Sequence, residues 1–171
     1  MGLSKLEQLI AAYSQYAAII EVPHLKEKIG TYGTFRVRNK KPYIFLEEYQ
    51  PEIDKCVILT EEFMHALHTV GVILDQKNLN NRKQEVQARG LAYKTVISMD
   101  DLLHCYKIGL RLDYEVAEEL DIPVEFLNNA IAYFKTQLGE SSTYKGYKVV
   151  INDTITFYPA VHSEAENFSK P

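Results

Sequence analysis

Three things are missing from this chain: an excess of basic residues, a long apolar run, and enough cysteine to staple a fold. Lysine and arginine number 19 against 23 aspartates and glutamates, a formal net charge of −4. That balance excludes a dedicated nucleic-acid binder, whose footprint is basic. No window approaches the roughly 18 consecutive apolar residues that a membrane span needs. The N-terminal twenty residues interleave Lys5, Glu7, Gln8 and Gln15 with their apolar positions, so they read as an amphipathic helix and not as a signal peptide. Cys56 and Cys105 are the only cysteines and lack C-x-x-C spacing. A disulfide scaffold is thereby excluded, and buried free thiols in a reducing, cytoplasmic setting are expected.

What is present is globular. Of the 171 residues, 46% are hydrophobic and 25% charged, which suits one domain with a small appendage. Leu6, Leu9, Ile10, Tyr13, Tyr16, Ala17 and Ile20 recur at helical spacing and predict a first helix over 4–20. Residues 34–38 and 43–47 read as two strands of a hairpin turning at Asn39-Lys40-Lys41-Pro42. The second of these, almost wholly apolar, should be covered on both faces or lie along a cleft. Within the first, Arg36 and Arg38 alternate with Phe35 and Val37, so with Lys40 and Lys41 they form the solvent side of a strand and not a phosphate site.

A long helix follows, with Asp54 or Thr60 as N-cap, running to about residue 71 and continuing weakly over 72–79. Further helices are predicted over 82–97, 100–107, 113–120 and 123–138. The last two resemble a helix-turn-helix in length, but Lys and Arg are absent from 115 to 134, so a structural helical hairpin is the better reading. Beyond residue 140, Tyr147, Val149 and Ile151 alternate, Asn152-Asp153 makes a turn, and Ile155 and Phe157 resume. That is a terminal hairpin. Residues 163–171 are polar and read as a flexible tail.

The chemistry concentrates in Leu59-Thr60-Glu61-Glu62-Phe63-Met64-His65-Ala66-Leu67-His68. At about 100° per helical residue, Glu61, His65 and His68 share one face while Phe63, Leu67 and Val70 share the opposite one. Glu62 lies to the side of the first face, where a carboxylate can reach an activated water without binding a metal. A zinc-type site needs a third ligand, usually distant in sequence. Glu85 is a candidate, on a helix whose small residues Ala88 and Ala92 permit close packing. The same residues also fit a solvated helical face, with Glu85 an ordinary charge beside Arg82, Lys83 and Arg89.

These residues resemble a known family. Glu61-Glu62-Phe63-Met64-His65, then Thr69-Val70-Gly71 with Ile73-Leu74-Asp75-Gln76, then Asn81-Arg82-Lys83-Gln84-Glu85-Val86-Gln87-Ala88-Arg89-Gly90-Leu91-Ala92-Tyr93, are similar to the ImmA/IrrE-type metallopeptidases. The short versions carried by phages and integrative elements of Gram-positive bacteria are the most similar. The resemblance covers about residues 4–139 as one metallopeptidase domain and leaves 140–171 as a C-terminal extension. It implies an α+β, predominantly helical, zincin-like core with a small antiparallel sheet. It also implies a zinc-dependent endopeptidase of the kind that cleaves a helix-turn-helix repressor encoded nearby.

Position by position, His65 matches the second histidine ligand, Glu62 the water-activating base and Glu85 the distant glutamate ligand. Glu61 stands at the first histidine, and Met64 where the family usually has glycine. Two carboxylates and one imidazole nearly neutralise a divalent ion, which weakens its acidity and moves preference from Zn²⁺ toward Mn²⁺ or Fe²⁺. His68 is an alternative ligand. Two functions therefore stand at this point: an active endopeptidase that pairs its protein substrate with an exposed strand edge, expected at Tyr43–Leu46, or a peptidase-fold module that captures a repressor as an antirepressor. Neither needs a membrane or direct contact with nucleic acid.

Overall fold

A computed structural model describes residues 2–70 and 81–160, side chains at 68–70 and 81–85 excepted. The reading of 72–79, the tail over 163–171, and the side chains of His68 and Glu85 lie outside the described residues.

Helix α1 (Lys5–Tyr13) opens with a reciprocal cap. The Glu7 N–H donates to Ser4 Oγ at 3.2 Å, and the Ser4 N–H donates to the Glu7 carboxylate at 2.7 Å. The helix is shorter than its periodicity suggests. It stops at Tyr13, where Ser14 donates both its N–H and its hydroxyl to Ile10 C=O. Ala18–Val22 is instead a strand, β1, pairing in parallel with Tyr43–Glu47. Ile19, Ile20 and Val22 are β-branched and favour the extended chain, and long-range pairing outweighs the helical spacing.

A short helix α2 (Leu25–Ile29) leads to β2 (Gly33–Arg38) and β3 (Lys41–Glu47). Their turn holds Asn39 and Lys40 at φ 50° and 63°, the two-residue left-handed geometry that suits strand twist. Sheet order is β1-β3-β2, with β3 antiparallel to β2. The expected antiparallel hairpin is there, with a third, parallel strand added.

Helix α3 (Glu52–Val70) carries the motif. Neither Asp54 nor Thr60 caps it. The helix starts directly after Pro51, whose C=O accepts the Lys55 N–H, while Thr60 sits buried in mid-helix and donates its hydroxyl to Cys56 C=O at 2.7 Å. Asp54 falls in the first turn, where its charge suits the helix dipole. Then come α4 (Asn81–Val96), α5 (Met99–Lys107), α6 (Asp113–Glu119) and α7 (Val124–Leu138). Ser98 and Asp101 form the cap that starts α5.

The C-terminal part is a three-stranded meander, β4 (Ser141–Tyr144), β5 (Tyr147–Ile151) and β6 (Ile155–Pro159). The β5–β6 hairpin was legible; β4 was not, because Ser141-Ser142-Thr143-Tyr144 carries no apolar alternation. One apolar cluster joins everything. Leu9 and Tyr13 of α1, Ile44 and Leu46 of β3, Leu59 and Phe63 of α3, Ala92 of α4, Leu127 of α7, and Val149, Ile151 and Phe157 of the meander are all buried in it. Cys56 and Cys105 are free and buried, and burial pushes the Cys56 thiol up to about 11.

Candidate functional site

Phe63 anchors α3. Its ring is fully buried and stacks on Tyr13 at 3.7 Å between centroids. With that face fixed inward, Glu61 and His65, four residues apart, emerge together on the exposed side. The expected division of the helix into an anchoring face and a donor face is found for these residues.

Glu62 is half-buried beside Glu61 and is tethered to the sheet. Its Oε2 accepts the N–H of Phe35 in β2 at 2.8 Å. This contact is possible because β2 begins against the helix at Gly33. A Cβ there would lie 2.3 Å from Ile58 Cγ2 and 3.3 Å from Glu62 Cγ, so only glycine allows the approach. Met64 is half-buried and packs against the core.

The strand that could receive an extended peptide is not the one the sequence pointed to. Tyr43–Leu46, read as a plausible exposed edge, lies in the central strand β3 and is paired on both sides. The edge beside α3 is β2. At Phe35 that edge is occupied on both polar groups: Glu62 takes the N–H, and the Arg36 guanidinium donates to the C=O at 3.0 Å.

Electrostatics single out Glu61. Burial first, and then the neighbouring charges of Glu62 and Glu125, push its proton affinity above the ordinary glutamate range, with His65 opposing them. Glu125, in the first turn of α7, was not anticipated from sequence because a tertiary contact alone brings it there. Beside Glu61 opens a cavity of about 390 Å³, lined by Tyr32, Tyr49, Gln50, Asp54, Glu61 and Pro123 among others.

One carboxylate and one imidazole on adjacent turns, in a crowd of negative charge, are chemistry that a divalent cation would relieve. Among the described residues no group of three His, Cys, Asp or Glu stands together as a ligand set. A third donor would have to come from elsewhere. Helix α4, which carries Glu85, packs on α3, and the Glu85 side chain is outside the described residues.

A family model described as the IrrE N-terminal-like domain, Peptidase_M78, matches residues 19–132, about two thirds of the chain. The match runs from β1 into α7; it therefore includes the first sheet and α3, and leaves out α1 and the meander. No curated protein and no solved structure matches the chain.

Proposed function

The chain belongs to the IrrE N-terminal-like family, Peptidase_M78, and from that premise we propose that it is a metal-dependent endopeptidase. The proposed site has Glu61, His65 and Glu85 as ligands and Glu62 as the base. The ion is Zn²⁺, or Mn²⁺ or Fe²⁺ given two carboxylates among three ligands. When bound, such an ion supplies Lewis acidity toward a peptide carbonyl and toward water.

The chain's own groups do the rest. Glu62 Oε2 is held by the Phe35 N–H, which leaves Oε1 to accept the proton of the attacking water. The outer edge of β2, not β3, is the one against which an extended peptide would align, displacing the Arg36 guanidinium from Phe35 C=O while Glu62 keeps the N–H. The substrate is a cytosolic regulator, a helix-turn-helix repressor of a phage or mobile element being the kind the resemblance implies. Among the described residues no helix is long and apolar enough to cross a membrane.

The observation that carries this reading is the pairing of an exposed Glu61–His65 face with a base tethered beside it, all inside the family match. Glu62→Gln tests it. The variant should keep its metal and its fold while cleavage of the partner regulator is lost; retained cleavage would end the proposal.

A second reading, an inactive antirepressor that binds its partner on the peptidase scaffold, is favoured by one fact. The Glu62 carboxylate already spends an oxygen on Phe35. Metal content separates the two, since a metal-free chain that still captures the regulator supports the second.

A further inference from the structure

Glu47 ends the central strand β3 and is only 4% exposed. A buried carboxylate must find donors or lose heavily in desolvation. Glu47 finds three, all backbone. Oε1 accepts the N–H of His24 at 3.1 Å and of Tyr49 at 3.0 Å, and Oε2 accepts the N–H of Lys26 at 2.8 Å. The residue's main chain is engaged as well. Its N–H donates to Tyr32 C=O at 2.8 Å, and its C=O accepts the Gln50 side-chain amide at 3.0 Å.

Three of these partners, Tyr32, Tyr49 and Gln50, line the same cavity as Glu61. None of the three belongs to the apolar cluster, and Tyr32 and Tyr49 are 45% and 64% exposed. Hydrogen bonds, and not packing, therefore locate this wall. His24 adds a further tie: it sits at φ 57°, a left-handed conformation uncommon outside glycine, with its ring edge-on to Tyr49 at 5.1 Å.

We infer that Glu47 is a positioning residue of the peptidase cleft, its carboxylate fixing Tyr49 while its main chain holds Tyr32 and Gln50, so that the wall these three form is set relative to Glu61. The inference rests on the peptidase reading above. It extends that reading from the metal face to the wall that a substrate side chain would meet.

The residue type follows from the chemistry. An ionised carboxylate accepts three N–H groups while donating none. The Lys26 and Tyr49 N–H groups hold its pKa below the usual glutamate range, which keeps it ionised. Glutamine would turn its own NH₂ toward one of those N–H groups, and aspartate would fall a methylene short.

The test uses the full chain loaded with Zn²⁺ and a synthetic peptide library read by mass spectrometry, with kinetics on its best-cleaved member. Four proteins are compared: wild type, Glu47→Gln, Tyr49→Ala and the double variant. Glu47→Gln should raise KM roughly three- to tenfold with kcat within about twofold, the effect of losing a charge-assisted hydrogen bond that acts on binding. Tyr49→Ala should do likewise, and the double variant should be no worse than Tyr49→Ala alone, because both changes act on one wall. Amide exchange at Lys26 and Tyr49 should accelerate in Glu47→Gln.

An unchanged KM in Glu47→Gln, or fully additive effects in the double variant, overturns the inference and leaves the peptidase reading standing. If Glu47→Gln fails to fold, Tyr49→Ala decides, and an unchanged KM there overturns it equally. No metal-dependent cleavage by the wild type overturns the peptidase reading and this inference together.

Discussion

The two three-stranded sheets are alike in size and share the apolar core, but their rims are fastened differently. The first, β1-β3-β2, has its rim tied by carboxylates to backbone N–H groups: Glu47 to His24, Lys26 and Tyr49, and Glu62 to Phe35. The second, β4-β5-β6, is fastened by side chains without polarity, Val149, Ile151 and Phe157, each at most 1% exposed. Its one notable polar clamp lies at the surface, where Asp100 accepts from the Tyr144 hydroxyl and the Lys145 ammonium. A cleft wall has to stay open to solvent, so it cannot be held by burial and needs directional bonds. A sheet with nothing to keep open can be held by hydrophobic packing alone. The family match follows the same division, taking in the first sheet and not the second.

The largest test of this contrast is Phe157→Ala. Removing a buried ring from the meander should cost about 3–5 kcal/mol in urea unfolding, with the geometry of the α3 face intact below the transition. A loss under about 1 kcal/mol would mean that the meander is not held by its core residues.

Next is Gly33→Ala, which strikes the other sheet where it meets α3. The new methyl group would collide with Ile58 Cγ2 and crowd Glu62, an overpacking cost of about 1–3 kcal/mol. Denaturant unfolding measures that cost. Unlike Phe157→Ala, the change should also reduce cleavage at temperatures where the chain is folded, because it displaces Glu62, the proposed base. Equal activity per folded molecule would remove Gly33 from the description of the site.

Asp100→Asn should have the smallest effect. The hydrogen bond from Lys145, and then that from Tyr144, hold the Asp100 carboxyl below the usual aspartate range. The stability it contributes is therefore present above the ordinary aspartate value and is lost as pH falls through its lowered one. Melting curves of wild type and variant should differ slightly at neutral pH and converge in acid. A gap that widens in acid would reverse the assignment.

Much of the fold was legible because its signals are local. The cap formed by Ser98 and Asp101 marks α5, Pro123 and Gly139 bracket α7, and the 3.6-residue period separates Phe63 from Glu61 and His65. The misreadings have a common cause. Tyr16, Ala17 and Ile20 continue the spacing of α1 by coincidence, whereas the partner that makes 18–22 a strand is β3, more than twenty residues away. Tyr43–Leu46 looked like an edge because a hairpin read alone has two edges, and only β1 closes the second. Glu47 left no trace in the pattern, since its partners are backbone N–H groups that any sequence supplies. The charge of Glu125 acts on Glu61 from another helix, which spacing along one helix cannot show.

As proposed, Glu61 and His65 on α3 and Glu85 on α4 hold one divalent ion. The most direct measurement is metal per chain, by atomic emission, after equilibration with Zn²⁺ and exhaustive dialysis, for wild type, His65→Ala and Glu85→Ala. The expected result is about one ion per wild-type chain and almost none in either variant, with all three folded. Equal metal in wild type and Glu85→Ala, or none in any of them with Mn²⁺ and Fe²⁺ giving the same result, would contradict it.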